Sequence, residues 1–324
     1  MSISECIKPE PGVHLPGFSR VTDLPHWNRY AAVNDEFIDV HMSKEAARAA
    51  GQPDIFGMGN LRVGYQHAAL HRWIGGRGDI ASFSCQFRAL NFPGDELTVW
   101  ASVVDNTQRD GLALTVVEMG VRNQNGEETT PATAEVVWFG DRGERRHAPA
   151  MPSPPTPAIV TDRSPGVHLD AQTIGWLGRS LPVLDSLPVD ANDIRRWAQA
   201  IWYPEPPPAD QFDVAVAADG PWRGLVAPRD FNPYAWHPDF HPEAYPWMRG
   251  MGSEPGRRGL NGGQRTWYGE PIRPGDVITS EVTLIDAYEK DGRIGTMLFL
   301  VDQARWTNQR GELVRISQRT TIYH

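Results

Sequence analysis

Two stretches of this chain carry the same punctuation at the same spacing, and that repeat limits the folds open to it. In "FRALNFPGDELTVWASVVDNTQRDGLALTVVEMGVRNQNGEE", Pro93-Gly94-Asp95 is followed by Asp110-Gly111, Asn123-Gln124 and Gly126-Glu127. In "YGEPIRPGDVITSEVTLIDAYEKDGRIGTMLFLVDQARWTNQRGEL" the same order returns as Pro274-Gly275-Asp276, Asp291-Gly292, Asn308-Gln309 and Gly311-Glu312. The spacing from Asp95 to Asp110 equals that from Asp276 to Asp291. Self-similarity of this kind marks a duplicated structural unit. Between the turns, "LTVWASVV", "LALTVVEMGV", "ITSEVTLIDAY" and "MLFLVDQARW" are β-branched and aromatic with partial alternation, so each unit reads as an antiparallel meander closed by Asp-Gly hairpin chemistry.

Helical material precedes each meander: "SKEAARAAG" and "GNLRVGYQHAALHRWIG" in the first half, "ANDIRRWAQAIW" in the second. Leu61, Tyr65, Ala68, Leu70 and Trp73 fall toward one broad apolar face. The expected class is therefore α+β, with two antiparallel sheets, each wrapped around its own helix. The proline- and charge-rich run that begins near residue 141 separates the halves. We place domains at 1–147 and 166–324 with a linker at 148–165.

Composition narrows the function. At 40% hydrophobic and 22% charged the chain is that of a globular protein, and its net charge of −9 argues against nucleic acid as a partner. Arginine greatly outnumbers lysine, which is present only as Lys8, Lys44 and Lys290; base composition of the gene explains this better than phosphate binding. Cys6 and Cys85 are too few for a disulfide framework and have no metal-ligand spacing. No apolar signal core or membrane-length run occurs, so the expected setting is the cytoplasm with no membrane partner.

The stretch "HMSKEAARAAGQPDIFGMGNL" resembles the MaoC-like (R)-specific enoyl-CoA hydratase and acyl dehydratase family, whose pattern is an Asp-x-Asn-Pro-x-His run, an "A..AG.P" helix and a turn ending in His-Gly-Met. Without a gap, His41 falls on the family's catalytic histidine, Gly51 and Pro53 on the post-helix turn, and Gly59 on the glycine of the His-Gly turn. The resemblance implies a hotdog fold, a central helix wrapped by an antiparallel sheet. The second half, through "DIRRWAQAIWYPEPPP", "GPWRGLVAP", "LNGGQRTWYGEPIRPGD" and "TNQRGELV", resembles a FAS1-like dehydratase domain, so the whole is expected to be a double hotdog. The match has departures. The family's aspartate position holds Glu36, with Asp35 one residue earlier; Ile38-Asp39 replaces Asn-Pro; Met58-Gly59 replaces His-Gly. The second half has no equivalent of His41, which marks it as non-catalytic and substrate-shaping.

The implied reaction is reversible hydration of 2-enoyl thioesters or dehydration of 3-hydroxyacyl thioesters. It needs a base for water, a proton for the α-carbon, and donors for the thioester oxygen. His41 suits the first task because imidazole titrates near neutrality, with a carboxylate to orient it. Asp35 is favoured for that carboxylate, with Glu36 and Asp39 as alternatives. The turn Gly57-Met58-Gly59-Asn60, opening the long helix, would supply backbone N–H groups and the positive end of the helix dipole. No cofactor or metal is expected beyond the coenzyme A or acyl carrier protein borne by the substrate, and a homodimer is expected. The prolines and tryptophans of residues 202–250 would accommodate a bulky or branched acyl group. Competing readings are a hotdog thioesterase and a non-catalytic acyl-binding subunit. His67 and His71 stand one helical turn apart but lack a third ligand. His237 and His241 read as a packed loop, and Arg257 and Arg258 as a solvated one.

Overall fold

The computed structural model describes residues 9–139, 150–250, 252, 254 and 256–324. Cys6 and the first two residues of the expected linker lie outside them; from 150 to 165 the chain forms no helix or strand.

The repeated turns determine the architecture. Asp95 accepts from the Phe92 N–H (2.7 Å) and from Gln124 (2.7 Å); Asp276 accepts from the Arg273 N–H (2.8 Å) and from Gln309 (3.2 Å). The side-chain Oδ1 of Asn123 accepts the Glu127 N–H at 3.0 Å, as Asn308 Oδ1 accepts that of Glu312 at 3.1 Å. Gly94 (φ 87°) and Gly275 (φ 86°) hold the left-handed backbone their turns require, which only glycine adopts without strain. Each short Asx motif thus locks one strand connection by local bonds. One turn differs. Asp110-Gly111 forms the first hairpin tip, both residues with positive φ, whereas in the second half Gly292 pairs with Gly295 around Arg293 and Ile294. There the glycine after the tip, Gly295 (φ 103°), supplies the unusual backbone and the strands run two residues further.

The first half contributes β1 (Phe18–Val21), β2 (Gly78–Cys85), β3 (Glu96–Arg109), β4 (Leu112–Arg122) and β5 (Ala132–Trp138); the second contributes β6 (Leu184–Asp185), β7 (Gly259–Tyr268), β8 (Ile278–Gly292), β9 (Gly295–Asn308) and β10 (Leu313–Tyr323). The expectation of two separate sheets is corrected: the strands form one ten-stranded sheet in the order β1-β3-β4-β5-β2-β7-β10-β9-β8-β6. The seam is antiparallel, from Ser82 opposite Trp267 to Cys85 opposite Gln264. The order is palindromic, as a duplication joined edge to edge requires. Joining through β2 and β7 leaves the two shortest strands as the outer edges and so removes the longer unpaired ones.

Helices depart from the duplication. In the first half come α1 (Leu24–Asn34), α2 (Asp39–Met42), α3 (Lys44–Ala49) and α4 (Gly59–Ile74); in the second, α5 (Ala171–Ile174), α6 (Ala191–Trp202) and α7 (Val214–Ala218). The α6 helix is the counterpart of α1, not of α4. Each has an aspartate N-cap, Asp23 or Asp190, and each is preceded by a residue, Thr22 or Val189, that exchanges backbone bonds with the Pro-Gly-Asp turn of its own half. Among the described residues no long helix follows α6 before β7, and none of the second half's own helices takes the place that α4 has in the first. Its place in packing is taken differently: Ile194, Trp197 and Ile201 of α6 share one core with α1 and α4, while Val282 and Leu284 of β8 and Leu298 and Leu300 of β9 pack with Leu169, Leu177 and Trp247. Gly64 lets α6 approach α4, since a Cβ there would meet Ile201 Cδ1 at 2.4 Å. A mid-helix glycine costs about 1 kcal/mol of helix propensity, which this contact between halves offsets.

Candidate active site

The site begins at the end of α1. Asp35 is the C-cap, in the left-handed conformation (φ 52°), with its N–H on Ala31 O and its side chain exposed. The chain then turns inward. Glu36 is half-buried, and its carboxyl accepts from Asn34 Nδ2 at 2.7 Å. Burial pushes its pKa up to about 7, an effect only partly countered by that hydrogen bond. The Phe37 and Ile38 side chains are exposed, and Asp39 is exposed in the first turn of α2, where its charge complements the helix dipole.

His41 lies in the last turn of α2 and is buried, its ring edge-on to Phe56 at 4.8 Å. Its Nδ1 lies 2.7 Å from the Phe56 carbonyl oxygen. A carbonyl accepts only, so Nδ1 carries the proton and the neutral ring keeps its lone pair on Nε2. Burial lowers the histidine pKa, which favours this neutral form. No described hydrogen bond or ion pair joins His41 to Asp35, Glu36 or Asp39; the sequence neighbours share a segment, not a contact. Asp35 and Glu36 are turned to opposite environments by the helix end between them.

The Gly57-Met58-Gly59-Asn60 turn brings the start of α4 to the same region. Gly57 donates its N–H to Asn91 O at 2.9 Å, and a Cβ on it would meet Asn91 Nδ2 at 2.4 Å. Met58 is fully buried, and no side chain caps the helix it precedes. Gly59 makes room for Phe87, whose ring would lie 2.9 Å from an added Cβ. An alanine there would have to push the Phe87 ring aside. Asn60 is half-buried.

Several surrounding residues were not visible as site residues in the sequence. Tyr30 of α1 is buried, and the charges of both Glu36 and Asp230 raise its pKa further. Arg62, one turn into α4, is buried with its guanidinium donating to Ala89 O (2.6 Å); burial lowers its pKa to about 10. Asn232 and Trp236 reach the end of α1 from the second half: Asn232 Nδ2 donates to Asn34 Oδ1 (2.9 Å), and Trp236 Nε1 donates to Ala32 O (2.8 Å). The only sequence signal for these is the proline- and aromatic-rich character of their loop.

The two histidines of α4 have structural partners. His67 Nδ1 bonds Val63 O and its Nε2 the Tyr268 hydroxyl, while His71 pairs with Asp210. Among the described residues no group of three side chains is arranged to hold a metal ion, and no helix is long and apolar enough to cross a membrane.

Residues 175–317 match a family model described as a FAS1-like, dehydratase domain region. No curated protein matches the chain. Solved structures resemble it over nearly its full length. A MaoC domain protein dehydratase from Chloroflexus aurantiacus J-10-fl is 12% identical, with a TM-score of 0.66 over 97% of this chain and 95% of that one. A conserved hypothetical protein from Mycobacterium tuberculosis, described as having a double hotdog fold, is 15% identical, with a TM-score of 0.62 over 98% and 97%. A MaoC-like dehydratase from Phytophthora capsici is 10% identical, with a TM-score of 0.54 over 97% and 96%.

Proposed function

We propose, for a chain whose second half matches a FAS1-like dehydratase domain region and whose overall fold resembles a double hotdog, reversible addition of water to 2-enoyl thioesters and its removal from 3-hydroxyacyl thioesters. The observation that carries this reading is the His41 ring, neutral, anchored through Nδ1 to the Phe56 carbonyl with no described partner at Nε2, five residues after a carboxyl whose pKa burial pushes up to about 7. A pair of titratable groups poised in this way suits acid and base work at one pH.

In the hydration direction, His41 Nε2 and Glu36 together hold the water. As its oxygen bonds to the β-carbon, its proton passes to one of them, and the same pair returns a proton to the α-carbon. The thioester oxygen, taking enolate charge between these events, is met by the uncapped N–H groups at Gly59 and Asn60. Dehydration runs the same transfers backwards. Glu36 is the better acid on this reading because it is half-buried, whereas Asp35 and Asp39 are exposed and each serves a helix end.

For the bulky or branched acyl group of this proposal, a cavity of about 90 Å³ between α4, α6 and the 210–230 segment, lined in part by Trp202, Ala217, Trp222 and Ala227, offers room for the tip and not for the whole chain. His41, Glu36 and Gly59 do not line it; Asp230, which shares Tyr30 with Glu36, does. We place the far end of the acyl group there, with the thioester carried on coenzyme A or an acyl carrier protein and no cofactor held by the chain itself. The homodimer is also kept as a proposal, though the two short edge strands offer little for pairing sheet to sheet.

The test is a panel of enoyl thioesters of increasing branching, followed by loss of enoyl absorbance and by thiol release. Wild type should lose the absorbance without releasing thiol; release of thiol would mean a thioesterase. His41→Ala and Glu36→Gln should each cost about 10²- to 10⁴-fold in kcat, and Asp35→Asn little. Selective loss in Asp35→Asn would return the acid role to Asp35.

A further inference from the structure

We infer that Asn232 is a positioning residue: from the second half it fixes the donor direction of Asn34 and so the orientation of the Glu36 carboxyl. The proposal rests on reading Glu36 as the working acid. Its basis is a hydrogen-bond chain whose polarity is set at one end. The Tyr234 backbone N–H can only donate, and it lies 3.0 Å from Asn232 Oδ1. That fixes Asn232 with Nδ2 pointing away, 2.9 Å from Asn34 Oδ1. Asn34 is in turn fixed with Nδ2 toward Glu36 Oε2, at 2.7 Å. Neither amide can flip without placing donor against donor or acceptor against acceptor.

The consequence reaches the chemistry. Oε2 of Glu36 is committed as an acceptor whether the group is ionised or neutral, so the exchangeable proton sits on Oε1, where no described protein group competes for it. A carboxyl free to rotate would divide the proton between both oxygens.

The start of the chain is held firmly. Arg229 makes two bonds to Asp79 (3.1 and 2.6 Å), Arg315 donates to Phe231 O (2.8 Å), and the Tyr234 hydroxyl donates to Ile278 O (2.6 Å). Trp236 adopts a left-handed backbone (φ 64°), costly for a bulky residue, while its indole bonds Ala32 O and packs against Phe37 at 6.0 Å. The loop from 229 to 236 therefore grips the α1 terminus from both sides of Glu36.

The experiment compares Asn232→Ala and the isosteric Asn232→Asp, in the full chain, alone and combined with Glu36→Gln. Asp keeps the acceptor for the Tyr234 N–H but cannot donate to Asn34. Each single variant should lower kcat about tenfold, the scale of one hydrogen bond to a carboxylate, with KM nearly unchanged and thermal midpoints close to wild type. In the Glu36→Gln background neither should lower kcat further, because the residue acts through Glu36. Wild-type kcat in both variants, or equal losses with and without Glu36→Gln, would overturn the positioning role. A Glu36→Gln protein with full activity would instead remove the reading on which it rests, and the two failures are told apart by that single variant.

Discussion

Glu36→Gln should stabilise the fold at neutral and alkaline pH while abolishing most activity. In the folded protein burial moves this carboxyl from an ordinary 4.5 to about 7. The folded state therefore holds the proton more tightly than the unfolded chain does. The sign follows from linkage: the stability associated with the neutral acid is fully present below pH 4.5 and is lost as pH rises toward and through 7. The difference is worth on the order of 3 kcal/mol, with partial solvent contact at Glu36 trimming it toward 2. Glutamine, similar in size and never charged, escapes the loss. Urea unfolding of wild type and variant at intervals from pH 4.5 to 8.5 measures it, as the gap in unfolding free energy between the two. The gap should widen with pH by about 2 to 3 kcal/mol and level off above 8. His41 has the opposite linkage, since burial lowers its pKa from 6.5 and its contribution is lost as pH falls; being common to both proteins, it cancels in the gap. A gap independent of pH would show that Glu36 does not ionise from a buried position, and the site's acid would have to be sought elsewhere.

Other consequences can be checked independently. Asp79→Ala would leave the Arg229 guanidinium, only 8% exposed, without its carboxylate at the junction of the halves, and should cost about 3 to 5 kcal/mol, read as a lower urea midpoint. Gly78→Ala sets a Cβ 2.2 Å from the Val137 carbonyl oxygen inside the β2–β5 pairing; about 2 kcal/mol or more should be lost, and an unchanged thermal midpoint would contradict the packing. In the pH–rate profile the acid limb should fall below the ordinary 6.5 of imidazole, because burial holds His41 neutral to lower pH, and His41→Ala should abolish that limb. Gly59→Ala should displace Phe87 and lower kcat more than stability, a split visible by comparing rates with melting curves.

Much of the fold was legible because its determinants are local. Pro-Gly-Asp and Asn-Gln-x-Gly-Glu each close a turn with bonds among residues a few positions apart, so their recurrence exposed the duplication, and the β-branched runs between them exposed the strands. His41 and the Gly57–Asn60 turn could be named as candidates too, since a short motif keeps its register through a helix. What escaped were relations between distant segments. A repeat cannot say whether two sheets remain apart, because the β2–β7 seam depends on which edges are left unpaired after each half folds. Composition cannot say that "ANDIRRWAQAIW" packs beside α1 and α4 rather than inside its own sheet, because an amphipathic helix shows only that one face is buried, not against what.

The same division runs through the site. Sequence by itself determined the chemistry on offer: one histidine, three carboxylates within seven residues, and a glycine turn opening a helix. Only tertiary structure distinguished the carboxylates, because burial and hydrogen bonding, not identity, set a carboxyl's pKa. The left-handed cap at Asp35 turns that side chain to water and the next one inward, while Asn34, held by Asn232 from nearly two hundred residues away, reaches the carboxyl that remains.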